Sequence, residues 1–376
     1  MRTKQERNHS ISYGAIAFSF ALLLTVAGCG GSEIPSEGKE DKVPLSDQEI
    51  TIQIDGWKPL EESRAAIFET PDDFTNEAPE AKGGGNFTLH AYMKETGSTF
   101  IDGTRARYQA SSERWRFYSD PNYIEYYWPQ SGSIDFFAYM PWKGSDRHKN
   151  ITVGSYSKGT GLSISCQMQS EITNLEDPTG QETIIAYTTN KSKTDGSVNM
   201  HFVHPFAAVY FKLHQAHRDL TINWIRFNNV YLTGADTLNA TTVENTKITW
   251  TPSDTESTFI ININKTIPTD INFNGEVGGP YLVMPQIFGK GTDDDLTDDV
   301  TITINYTWDD KQDSNTTNDT KEFTRSITTT DIESWIAGNK YTYILDLGDN
   351  KEEILFKVQV EPWTSHDDYE NIVDVE

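Results

Sequence analysis

The sequence predicts an all-β chain built as two β-sandwich domains in tandem, and three observations carry that reading. Apolar and aromatic residues recur in runs of strand length, clusters of Pro, Gly, Asn and Asp separate those runs, and no sustained helical period lies between them. The richest run, residues 115–142, packs Trp115, Phe117, Tyr118, Tyr123, Tyr126, Tyr127, Trp128, Phe136, Phe137, Tyr139 and Trp142 into one span. Asp120-Pro121-Asn122 and Pro129-Gln130-Ser131-Gly132 cut it into short pieces. Aromatic side chains fit a pleated, half-buried surface and Pro and Gly supply the turns, so this span is expected to be sandwich core. The other use of such a stretch is an exposed platform on which sugar rings or bases stack.

A chain of 376 residues is long enough for about two domains, expected here at 49–216 and 217–376. The formal charge of −25 repels phosphate backbones, which argues against a nucleic-acid partner.

The first 28 residues read as an export signal. Arg2, Lys4 and Arg7 precede the apolar run Ala15-Ile16-Ala17-Phe18-Ser19-Phe20-Ala21-Leu22-Leu23-Leu24, and small residues end it. The run is short for a membrane span and has the order of a secretory signal. Leu24-Thr25-Val26-Ala27-Gly28-Cys29 resembles a bacterial lipobox, in which the Cys is lipidated and becomes the first residue of the mature protein. The one other cysteine is Cys166, so with Cys29 lipidated no intramolecular disulfide is available. Residues 29–48, rich in Gly, Ser, Pro and charge, read as a flexible tether from that anchor.

The body opens with Ile50-Thr51-Ile52-Gln53-Ile54-Asp55, which alternates with period two and stops at Gly56: a strand. Lys58-Pro59-Leu60-Glu61-Glu62-Ser63-Arg64 is an exposed loop of the kind that proteases nick, followed by Ala65-Ala66-Ile67-Phe68. After Gly83-Gly84-Gly85 come strands at 86–92, through the aromatic span, at 183–187 and at 198–202 around Asp195-Gly196. Ala208-Val209-Tyr210-Phe211-Lys212-Leu213 closes the first series. The second half offers strands at 221–227, 230–232, 247–250, 259–263, 281–284, 300–308, 341–347 and 354–360. The run from Val300 alternates strictly, which implies one buried and one wet face. Residues 331–337 invite a short helical turn ended by Gly338.

Chemistry is sparse. His201 and His204 would fall on opposite faces of a strand, a poor arrangement for one metal. Asp293-Asp294-Asp295-Leu296-Thr297-Asp298-Asp299 and Asp309-Asp310-Lys311-Gln312-Asp313 offer hard oxygen ligands but lack the Gly-punctuated spacing of a helix-loop-helix calcium site, and read as solvated hairpin loops. No nucleophile elbow, phosphate loop or His-Glu-x-x-His motif is present, so neither a cofactor nor an enzymatic role is expected.

An ordered set of landmarks runs through both halves. It comprises the lipobox, Arg64-Ala65, Tyr126-Tyr127-Trp128-Pro129, Ile134-Asp135-Phe136-Phe137-Ala138-Tyr139-Met140-Pro141 and Phe202-Val203-His204-Pro205, then Leu282-Val283-Met284-Pro285-Gln286, Gly338-Asn339-Lys340-Tyr341-Thr342-Tyr343 and Val360-Glu361-Pro362-Trp363. Together these resemble the fimbrillin family of Bacteroidetes over nearly the whole chain. The resemblance implies two transthyretin-like β-sandwich domains, export as an outer-membrane lipoprotein and assembly with other fimbrial subunits at the cell surface. In polymerising members an arginine-specific protease removes the N-terminal segment and a neighbour's strand fills the vacated groove.

The residues suit that scheme. A cut between Arg64 and Ala65 would remove the tether together with the strand that carries Ile50, Ile52 and Ile54, leaving unpaired backbone beside an apolar groove. The tail after Trp363, with Ile372, Val373 and Val375, is a candidate donor strand. On the residues alone Arg64 is equally an ordinary solvated loop charge. The alternative function is a non-catalytic surface glycan-binding lipoprotein, which exposure of Trp128 or Trp142 would favour.

Overall fold

The computed structural model describes residues 48–54, 86–109, 112, 114–119, 122–140, 142–143, 150–173, 183–216, 220–239, 248–253, 255–267, 270–288, 300–308, 319–326, 332–347 and 354–362. Among them the chain is strand and turn, with a short 3-10 turn at Lys193–Asp195 and no α-helix.

In chain order, β1 (Ile52–Ile54) precedes β2 (Asn86–Met93), β3 (Thr99–Gln109), β4 (Arg114–Ser119), β5 (Asn122–Ile124) and β6 (Ile134–Met140). The hairpin β7 (Ile151–Ser157) and β8 (Gly161–Gln167) follows, then β9 (Glu171–Ile172), β10 (Ile184–Lys191) and β11 (Val198–Met200). Gly161 has φ 111°, and a Cβ there would collide with the carbonyl of Leu238, so this hairpin needs glycine at that point. Longer strands come next: β12 (Ala207–Ala216), β13 (Leu220–Tyr231), β14 (Thr233–Leu238), β15 (Thr251–Pro252), β16 (Glu256–Ile267) and β17 (Asp270–Val283). The last are β18 (Gln286–Ile287), β19 (Thr301–Trp308), β20 (Asp319–Ser326), β21 (Ser334–Trp335), β22 (Asn339–Leu347) and β23 (Ile354–Pro362).

These strands form a six-stranded sheet ordered β10-β6-β2-β3-β4-β5, a four-stranded sheet β15-β14-β8-β7, a five-stranded sheet β20-β19-β13-β16-β9 and a four-stranded sheet β17-β12-β22-β23. Two small pairs, β1-β11 and β18-β21, complete the set. The five-stranded sheet and the β17-β12-β22-β23 sheet enclose one core around Phe211, Phe227, Ile261, Ile302 and Tyr343, which is the arrangement of a sandwich. The six-stranded sheet is covered on both faces along β10, β6 and β2. One face, with Phe87, Leu89, Trp115, Phe117 and Phe136, packs beneath β1 and β11. The other, with Tyr92, Phe137, Tyr139, Ile185 and Tyr187, packs against Leu162, Ile164 and Leu238 of the β15-β14-β8-β7 sheet. Every residue of β6 is consequently buried, so Ile134-Asp135-Phe136-Phe137-Ala138-Tyr139-Met140 shows no alternation. Its one carboxylate, Asp135, accepts hydrogen bonds from Tyr156 Oη–H at 2.8 Å and the Asn190 N–H at 2.8 Å, which offsets the cost of burying it.

Two expectations change. The strand at 208–213, expected to close the first half, is hydrogen-bonded into the second: β12 runs antiparallel to β17 and parallel to β22, with Val209, Phe211 and Leu213 in the second core. In exchange, β14 pairs with β8 of the first half. Periodicity identifies which side chains point inward but not which sheet receives them. The stretch expected to be a helical turn before Gly338 holds β21 instead, paired with β18. Burial of Trp335 edge-on to Phe227 and Phe288, with its indole N–H donating to Tyr343 Oη at 3.0 Å, overrides a weak local helical preference.

Candidate functional site

The segment at 48–54 is a strap across the first core. Alternation puts Ile50 and Ile52 inward, at 1% and 3% exposure, leaves Ile54 half-buried against the same core and turns Gln53 to solvent. Its backbone changes partner midway. The Trp128 N–H donates to Gln48 O at 3.0 Å and the Ile50 N–H donates to Tyr126 O at 2.7 Å, an antiparallel contact centred on Glu49 and Tyr127. From Thr51 onward the neighbour is β11. The Val198 N–H donates to Thr51 O at 2.8 Å, and Ile52, Gln53 and Ile54 lie parallel to Val198, Asn199 and Met200. The Thr51 and Ser197 hydroxyls bond at 2.9 Å.

The strap therefore fills a groove walled by residues 126–128 on one side and β11 on the other, floored by Trp115, Phe117 and Phe136. Each buried isoleucine stabilises by about 1.5–3 kcal/mol and each backbone hydrogen bond by about 0.5–1.5 kcal/mol. Two polar atoms at its start, Gln48 Oε1 and Trp128 Nε1, are buried without a hydrogen-bond partner.

Ile50, Ile52 and Ile54 thus lie where the sequence places a strand. The groove walls, Tyr126, Trp128, Val198 and Met200, come from two distant segments, and only the aromatic run pointed to one of them. Cys29, Arg64, Ala65, Ile372, Val373 and Val375 lie outside the described residues, as do both acidic loops. Trp128 is 2% exposed and belongs to the core, so it offers no platform to a sugar; Trp142 is half-buried. His201 is exposed and His204 half-buried outside any strand. Among the described residues no group of three or more His, Cys, Asp or Glu could hold a metal ion.

On the opposite face of the sheet His90 of β2 is buried between Tyr92 and Tyr139, with ring centroids 6.4 Å and 5.9 Å away and no hydrogen-bond partner at either nitrogen. Burial lowers its pKa to about 4, against the opposing pull of Asp102, whose Oδ1 lies 3.8 Å from Nδ1; nearby Lys143 adds to the lowering. The ring is neutral at physiological pH. Cys166 in β8 is likewise buried, which pushes its thiol up to about 12 and leaves it inert.

A fimbrillin-like family model matches residues 79–363, which starts after the strap and ends just beyond β23. Among solved structures the chain is similar to a fimbrial protein from Bacteroides vulgatus, with a TM-score of 0.55 and 15% identity over 85% of this chain and 100% of that one. Candidate cell adhesion proteins from Bacteroides uniformis and Bacteroides ovatus are also similar. The first has a TM-score of 0.47 and 16% identity, covering 84% of this chain and 99% of that one; the second has 0.45 and 14%, covering 85% and 99%. No curated protein sequence matches. At 15% identity the likeness to the Bacteroides vulgatus protein speaks for the fold alone, and the family match speaks for the ancestry: the chain belongs to the fimbrillin-like family.

Proposed function

We propose that this chain is a structural or accessory subunit of a cell-surface fimbrium, without catalytic activity, and that the strap at 48–54 occupies its strand-acceptor groove until proteolysis between Arg64 and Ala65 frees it. The observation that carries the reading is the double role of the strap: Ile50 and Ile52 fill the first core while its backbone pairs with both groove walls. Its departure would leave the Tyr126 carbonyl and the Trp128 and Val198 N–H groups unpaired beside an apolar trench. A strand with apolar residues at every second position repairs both defects. The tail containing Ile372, Val373 and Val375 is the candidate donor from a neighbouring subunit, and such head-to-tail addition is a heterologous contact that extends into a filament. In this reading the two halves are transthyretin-like sandwiches, residues 1–28 direct export and lipidated Cys29 anchors the unprocessed chain to the outer membrane.

N-terminal and intact-mass analysis of the protein sheared from the cell surface tests this. Assembled material beginning at Ala65 supports the scheme. Assembled material that still begins at an acylated Cys29 overturns processing as the trigger and leaves a retained lipoprotein.

A further inference from the structure

One cluster of charge on the first half runs against the overall sign of the chain. In a chain of net charge −25, four of the eleven arginines, Arg105, Arg107, Arg114 and Arg116, fall within twelve residues on β3 and β4. Alternation sends their neighbours Ala106, Trp115 and Phe117 into the core under the strap and sends the arginines to the other face. Register then gathers them: Arg107 stands opposite Arg116, Arg105 opposite Tyr118, Gln109 opposite Arg114 and Tyr118 opposite Tyr123.

Like charges directly opposite on neighbouring strands destabilise a sheet. No described carboxylate forms an ion pair with Arg107, Arg114 or Arg116. The face is nevertheless ordered. Arg105 lies over the Trp142 ring at 4.5 Å with Nε–H donating to Asn86 Oδ1 at 2.8 Å. Arg116 lies over the exposed Tyr123 ring at 4.9 Å with Nε–H donating to Gln109 Oε1 at 3.2 Å. Stacking fixes the guanidinium planes, and fixed guanidinium forks match carboxylate and sulfate geometry.

We propose that this face of β3, β4 and β5 binds an acidic polysaccharide. Arginine positions repeat about 7 Å apart along a strand and about 5 Å apart across strands at the Cβ atoms, which presents a flat cationic surface rather than an enclosed pocket. An extended chain of sugars carrying carboxylate or sulfate groups meets such a surface with several charges at once. The acidic remainder of the molecule repels a polyanion and so confines it to this face. The proposal goes beyond the fimbrial reading and is independent of the strap, which packs beneath the opposite pleat.

The test uses the full mature chain, with heparin hexasaccharide and polygalacturonate oligomers as probes and maltohexaose as the neutral control. Both polyanions should bind, more weakly as salt rises, and the control should not. Arg107→Ser/Arg114→Ser alters two exposed side chains that have no ion-pair partner among the described residues. It should weaken polyanion binding at least about tenfold, flatten the salt dependence and leave the melting temperature unchanged or higher. The proposal fails if neither probe binds at low salt or if the double variant binds as tightly as the parent. It also fails if the variant changes only self-association, which would make the face a contact between copies of the chain.

Discussion

Ile52 stands opposite Val198 in a parallel strand pair, and both side chains are buried in the same core. The pair joins a segment near the start of the chain to the short strand that follows β10, so the first core is closed by residues outside the part matched to the family. Removing the outer members of Ile52 should therefore be felt by the whole first half. Ile52→Ala is expected to cost about 2–5 kcal/mol, the range for a buried isoleucine. Urea unfolding followed by tryptophan fluorescence measures this, and an unchanged midpoint means that the strap is not part of the cooperative core.

Trp128 forms the end of the same groove and packs edge-on to Phe136, with ring centroids 6.0 Å apart. Trp128→Ala should cost about 3–5 kcal/mol and lower the melting temperature sharply. Because its indole N–H makes no hydrogen bond, Trp128→Phe should cost much less than Trp128→Ala. Equal destabilisation by both variants would show that the N–H has a partner in solution.

His90 predicts a pH dependence. Its pKa is lowered on folding from the ordinary 6.5 to about 4, chiefly by burial, so the folded protein holds the ring neutral while the unfolded chain protonates it more readily. The contribution of this group to stability is fully present above about pH 6.5 and is lost progressively as pH falls toward 4. His90→Phe keeps an aromatic ring against Tyr92 and Tyr139 and removes the titration. Melting temperatures of the parent should fall between pH 6.5 and 4.5 more steeply than those of the variant, and parallel curves would contradict the burial of a neutral ring.

Alternation along the strand was enough to place Ile50, Ile52 and Ile54 inward, because a period of two is a local property. Their partners were not legible, since Tyr126 and Val198 reach the strap through sheet topology that no local pattern encodes. The same limit moved β12 into the second half, where Phe211 packs between Tyr281 and Tyr343. The spacing of Arg105 and Arg107 around Ala106, and of Arg114 and Arg116 around Trp115, already shows an apolar and a basic face. Only the register that sets Arg107 against Arg116 turns two pairs into one surface. Trp335 departs from expectation for the opposite reason: the sequence from Asp331 to Ala337 has weak helical character, and the burial of one large ring decides the matter.

The gating of assembly can be argued from the strap outward. While residues 48–54 are covalently joined to the body through residues 55–85, any displaced strap remains at high effective concentration beside its own groove and rebinds ahead of a strand from another chain. Its three isoleucines and its backbone bonds to Tyr126, Trp128 and Val198 then oppose exchange with the full weight of the first core. In the proposed scheme a cut between Arg64 and Ala65 abolishes that advantage while residues 48–54 keep their own contacts, so the strap leaves at a rate set by its own dissociation and an incoming strand competes on equal terms. Brief trypsin treatment of the folded mature chain is therefore expected to yield a body beginning at Ala65 that oligomerises on a sizing column, and Arg64→Ala should remain monomeric under the same treatment. Combining Arg64→Ala with Ile52→Ala separates cleavage from strap affinity: a weakened but tethered strap should still block assembly at low protein concentration. If Arg64→Ala alone enters fimbriae as efficiently as the parent, release of the strap is not the trigger and the groove has only a structural role in the first core.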